Sequence, residues 1–110
     1  MTAASDAMAE RLRPVLTKKK LALEEKKMFG GLGFMLNGNM LIGTTAKGAL
    51  LVRIDPDKAG EAAARGAEPM HMGPRLMTGF MSVEPGPLSD AGLKGWVDYC
   101  LAFVRTLPAK

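Results

Sequence analysis

One cysteine, one histidine, one tryptophan and one tyrosine stand in a chain of 110 residues, of which aromatic side chains make up only 5%. The lone Cys100 cannot form an internal disulfide, so stability must come from burial; a chain of this length buries roughly two-thirds of the surface its unfolded form exposes. An unpaired thiol without a secretory leader fits a reducing, cytoplasmic setting. The longest apolar runs, such as residues 49–52, fall far short of the ~20 residues that a membrane-spanning helix needs. No Gly-Lys-Ser/Thr sequence exists for a P-loop. The stretch Gly31-x-Gly33-x-x-Leu36 lacks the third glycine of a dinucleotide fingerprint and leads into a strand, whereas a bound phosphate needs the amides of a helix N-terminus.

The chemistry-bearing residues that are present do not assemble into a reaction centre. With His71 as the only imidazole, any triad or metal centre has to be built around it. Met70-His71-Met72 offers soft ligands of the kind copper(I) takes, but in an extended segment the two methionines project to one face and His71 to the other. Cys100 falls on an apolar stripe between Trp96, Val97 and Val104, where a thiol is inert. Glu24 and Glu25 are neighbours in an extended run and point apart, while Asp55 and Asp57 are explained by a helix start. No catalytic residue, cofactor or metal is therefore assigned, and no enzymatic activity is expected.

What the chain does have is clear patterning, with no repeat, low-complexity tract or long linker, so a single domain over residues 1–110 is expected. Met8, Leu12, Val15 and Leu16 recur at helical spacing between about residues 2 and 17, where Pro14 should kink or end the helix. Residues 23–29 read as extended. From Leu32 the period is two, with Leu32, Phe34 and Leu36 facing one way and Gly33, Met35 and Asn37 the other. Asn37-Gly38-Asn39 signals a hairpin, because Asn and Gly accept the positive φ of the favoured turns. Strands follow at residues 40–45 and 50–54, the second with Leu50, Val52 and Ile54 on one face and Leu51 and Arg53 on the other. Asp55-Pro56-Asp57 then starts a short helix that ends before Gly66.

Two more extended segments, 68–73 and 75–84, flank Gly73-Pro74. After Ser89 as N-cap, Leu93, Trp96, Val97, Cys100, Leu101, Val104 and Leu107 recur every three or four residues until Pro108, the clearest helix in the chain. Gly92 and Gly95 near its start suit a close approach of this helix to the sheet. The fold class expected is α+β: a two-layer domain of order α-β-β-β-β-α-β-β-α, an antiparallel sheet of about five to six strands with helices mainly on one face.

Charge and methionine are unevenly used. The net charge is +4, and residues 1–30 carry seven Lys/Arg against four acids while residues 31–110 carry eight against seven. Lys18, Lys19, Lys20, Lys26 and Lys27 are the candidates for phosphate contact, although a lysine run also serves as a solvated face or a protected sheet edge. The nine methionines read mainly as a flexible core. Met35 is the exception, opposite Phe34 and Leu36, where an exposed apolar patch would mark a partner.

Met28-Phe29-Gly30-Gly31-x-Gly33, with the downstream Asn37-Gly38-Asn39-Met40 hairpin, the run from Leu50 to Asp55 before a helix and a tryptophan-bearing terminal helix, resembles the N-terminal domain of the TfoX (Sxy) family of bacterial competence regulators. The resemblance covers nearly the whole chain. It implies a secretion-chaperone-like α+β fold and a link to transcription of DNA-uptake genes, where full-length regulators work with the cyclic-AMP receptor protein. Full-length members carry a second, helical domain after this one; this sequence ends at Lys110, so the N-terminal-like domain alone is expected.

The function these observations favour is a non-catalytic regulatory or interaction domain with protein partners, possible DNA contact through the five lysines, and no membrane association. Two alternatives stay open. One is a small-molecule-binding or enzymatic domain using a cleft between the sheet and the terminal helix, with Arg53, His71 or Arg75 inside it. The other is a homodimeric scaffold paired through an uncovered sheet edge or the Met-rich face.

Overall fold

A computed structural model of the chain describes residues 3–21, 23–28, 30–72 and 74–109, with the backbone alone at 28, 71, 72 and 75–78. Helix α1 (Ala3–Lys18) leads into strands β1 (Glu24–Met28), β2 (Gly31–Leu36), β3 (Asn39–Thr44) and β4 (Leu50–Arg53). A 3₁₀ turn (Pro56–Lys58) and α2 (Ala59–Ala64) connect to β5 (Glu68–Met72) and β6 (Arg75–Val83), and α3 (Asp90–Val104) closes the fold. The strands form one six-stranded sheet in the order β1-β2-β3-β4-β6-β5, every pair antiparallel. The α+β class and the order of elements are those the sequence pattern implies. No described helix is long and apolar enough to cross a membrane.

The core forms where α1 and α3 lie on one face of this sheet. Met8, Leu12 and Leu16 of α1 and Leu93, Trp96, Val97, Cys100, Leu101 and Val104 of α3 join Leu32, Phe34, Ile42, Leu50, Val52, Ile54, Met81 and Val83 in one buried cluster. Burying each such side chain contributes about 1.5–3 kcal/mol. Two buried hydroxyls pin α1 to the sheet: Ser5 Oγ lies 2.6 Å from Thr44 Oγ1, which also accepts the Leu32 N–H at 3.0 Å.

A bulge in the β2–β3 pair resets the alternation. Phe34 opposes Ile42 but Met35 opposes Met40, so Leu41 is an extra residue on β3. At such a bulge the strand bends and its phase shifts. Leu41 and Ile42 consequently both enter the core, whereas Met40, though buried, lies outside it beside Met35. Asn39 falls back into phase with the helix side, and its Nδ2 donates to the Pro108 carbonyl after α3 at 2.8 Å.

Several local expectations are corrected. Helix α1 does not end at Pro14 but continues to Lys18; Pro14 and Glu10, whose carbonyl loses its bond, are both exposed, so water can satisfy the freed acceptor. Residue 2, where the apolar spacing starts that helix, lies outside the described residues. Helix α3 ends at Val104, leaving Leu107 in the following turn. Gly92 and Gly95 do not face the sheet: added methyl groups would meet Leu88 and Ser89 at the first and the Arg65 guanidinium at the second. Leu51, on the face away from the helices, is fully buried.

The methionines divide. Met8 and Met81 belong to the core, Met35 and Met70 are half-buried, and the side chains of Met28, Met72 and Met77 lie outside the described residues.

Candidate interaction surface

The glycine motif builds the first hairpin. Met28 pairs with Gly31 across the turn; Gly30 adopts φ +74°, which glycine takes without the Cβ penalty. Phe29 lies outside the described residues. Gly33 is buried in β2 opposite Gly43. The motif is thus a backbone device that turns β1 into β2 and lets Gly31 lie against Thr44 of β3.

At the end of α1, that helix and α3 leave a groove of about 460 Å³ lined by Val15, Lys18, Lys19, Asp90, Ala91 and Lys94. Lys18 ends α1 and Asp90 opens α3, each with the sign that complements its helix dipole. Lys19 is ion-paired with Asp98. Arg11 spans from α1 to the start of α3, donating to the Leu88 carbonyl at 2.7 Å and approaching Asp90 at 3.4 Å. Lys18 and Lys94 are exposed and form no ion pair among the described residues. The groove therefore combines two apolar side chains, Val15 and Ala91, with two available ammonium groups in one lining.

The remaining lysines are distributed otherwise. Lys20 sits in the turn after α1 with φ 54°. Lys27 opposes the core residue Leu32 and so lies on the helix-bearing face, while Lys26, opposite Gly33, points to the other. The sequence pattern joins these five residues; the fold instead joins Lys18 and Lys19 with Lys94. No local signal marks Lys94, because its relation to Lys18 depends on how the two helices pack.

Arg53 and Arg65 lie over aromatic rings, contacts that no local sequence pattern marks. The Arg53 guanidinium lies 4.7 Å from the Phe80 ring centre and 5.7 Å from that of Phe103. Arg65 lies 4.8 Å from Trp96 and 4.4 Å from Tyr99, rings that meet edge to face. A cleft of about 300 Å³ beside them is lined by Asp55, Lys58, Tyr99, Ala102, Phe103 and Thr106. The Tyr99 hydroxyl is shielded there without a hydrogen-bond partner among the described residues; burial, with the nearby Glu61 carboxylate, pushes the phenol above its ordinary range. The side chains of His71 and Arg75, the other residues expected in such a cleft, lie outside the described residues.

Cys100 is fully buried. Burial pushes its thiol up to about 12, so it is protonated at neutral pH and a poor nucleophile. Among the described residues no group of three His, Cys, Asp or Glu side chains could hold a metal ion.

A family model described as the TfoX N-terminal domain matches residues 16–104. The matched span begins at the last turn of α1 and ends with α3, so it includes Lys18, Lys19, Lys94 and the glycine motif. No curated protein and no solved structure matches the chain.

Proposed function

Because the chain belongs to the TfoX N-terminal domain family, we propose that it is a non-catalytic, competence-related regulatory domain that acts by binding a protein partner in the α1–α3 groove. The observation that carries this reading is the groove itself: Val15 and Ala91 line it together with Lys18, Lys19 and Lys94 and a single acid, Asp90, a net positive lining that suits an acidic segment with a small apolar side chain. Opposite charge across such a contact speeds encounter and selects partners. The reading gives Lys18 and Lys94 the recognition role and gives no residue a catalytic one.

The test uses the source bacterium lacking this gene, with a reporter of DNA-uptake gene transcription. Wild-type protein should restore the reporter, and the folded double variant Lys18→Glu/Lys94→Glu should not. A deletion without effect on the reporter would remove the regulatory reading; full restoration by the double variant would remove the groove.

DNA contact is the second reading, favoured by the exposed Lys18 and Lys20 at the end of α1. It requires binding of duplex DNA at ~50 mM salt that weakens steeply as salt rises. Absence of binding there would end it.

A further inference from the structure

We infer that β1 is a self-association edge, through which two copies of the chain pair antiparallel about a twofold axis at Glu25 and join their six-stranded sheets into one. This inference stands independently of the regulatory reading.

The two ends of the sheet differ in their readiness for such pairing. Strand β5 carries Pro69 and an interrupted register with β6; proline supplies no amide donor, and irregular pairing blunts an edge. Strand β1 has neither feature; its two lysines, which protect an edge against an uncharged strand, are matched in number by two glutamates that a second copy of β1 can pair with them. Its five residues pair with β2 without a register shift, and Glu24, Glu25, Lys26 and Lys27 are all exposed. Because β1 is terminal in the strand order, the backbone groups on its outer side have no strand partner among the described residues.

The charges on β1 select both the occupant and the register. In an antiparallel pair about a twofold axis normal to the sheet, opposing residues must share a face, so the axis passes through a residue that meets its own copy. With Glu25 on the axis, Glu24 opposes Lys26 of the second copy, and the reverse contact repeats it. The like-charged pair at the centre is compensated, since each Glu25 carboxylate is held by its own Arg13 at 2.8 Å. Centring on Glu24, Lys26 or Lys27 would oppose like charges that have no ion-pair partner among the described residues. Only the Glu25 register combines complementary flanks with a neutralised centre.

Sedimentation equilibrium at ~50 mM salt, where exposed charges are weakly screened, provides the test. Wild-type protein should dimerise reversibly with concentration. Lys26→Glu and Glu24→Lys should each weaken the dimer by about tenfold or more, and the double reversal should restore it. Circular dichroism on every variant separates lost pairing from lost folding.

A cysteine at the axis reports the register directly. Opposed strand residues have Cα atoms about 4.5–5.5 Å apart, within disulfide reach. Glu25→Cys should therefore cross-link two chains on mild oxidation, and Lys47→Cys should not. A wild-type protein that stays monomeric at its highest soluble concentration overturns the inference, as does association unchanged by the single reversals, a double reversal that fails to restore pairing, or a Glu25→Cys variant that does not cross-link.

Discussion

Gly31 lies so close to Thr44 that a methyl group on it would sit 2.1 Å from the Thr44 carbonyl oxygen and 2.9 Å from the hydroxyl. The neighbouring glycine solves a different problem, since Gly30 supplies the left-handed turn. Replacing Gly31 by alanine forces backbone against backbone, so Gly31→Ala should lose about 3 kcal/mol or more. Gly60 in α2 has nothing within 4 Å of an added methyl, and Gly60→Ala should gain up to about 1 kcal/mol. Urea midpoints of the two variants should move in opposite directions; equal shifts would refute the steric account.

Thr44 also joins three elements through one hydroxyl, accepting from Leu32 of β2 and bonding Ser5 of α1. Thr44→Val keeps the shape but strands the buried Leu32 amide and removes the link to α1, which should cost about 2–4 kcal/mol. Thr44→Ser should retain most of that stability. Thermal unfolding of the pair checks it: a valine variant as stable as the serine one would show that the hydroxyl contributes little.

Cys100 should be silent toward a thiol reagent such as Ellman's at pH 8. Its thiol is fully buried and held up to about 12 by that burial, so both access and thiolate are lacking. In urea one thiol per chain should react, because the sequence has a single cysteine. Rapid modification of the folded protein would contradict the packing of α3 on the sheet.

Arg13 and Glu25 give the stability a small acid dependence. The hydrogen bond from Arg13 holds the Glu25 carboxyl below its ordinary 4.5. A carboxyl depressed in the folded state stabilises fully above its unfolded value, and that contribution disappears as the pH falls through the folded one. Both side chains are nearly half exposed, so the pair is worth about 0.2–1 kcal/mol. The stability difference between wild type and Glu25→Gln should be present at pH 7 and vanish in strong acid; a difference that grows with acidity has the wrong sign.

Much of the fold was legible because its signals are local. Ser89 accepts the Gly92 amide at 3.0 Å at the start of α3, Asp55 accepts the Asp57 amide at 3.0 Å, and Asn37 and Gly38 take φ 53° and 82° in the hairpin turn. Caps, turns and the period of the apolar stripe are settled within a few residues of chain. The candidate surface was only half legible: the lysines at the end of α1 stand out as a run, whereas Lys94 is an isolated charge on a helix with no neighbour in sequence to mark it.

Backbone torsion preferences and hydrophobic period act over short range, so the kinds of elements, their order and most of the buried residues are written locally in the chain. It took the packed fold to turn Leu41 into the core beside Ile42, to accommodate Pro14, to rest Arg53 and Arg65 on aromatic rings, and to bring Lys18 and Lys94 into the lining of one groove. Each of those outcomes depends on strand register or helix packing, where partners distant in the chain compete for the same space and no stretch of a few residues holds the answer.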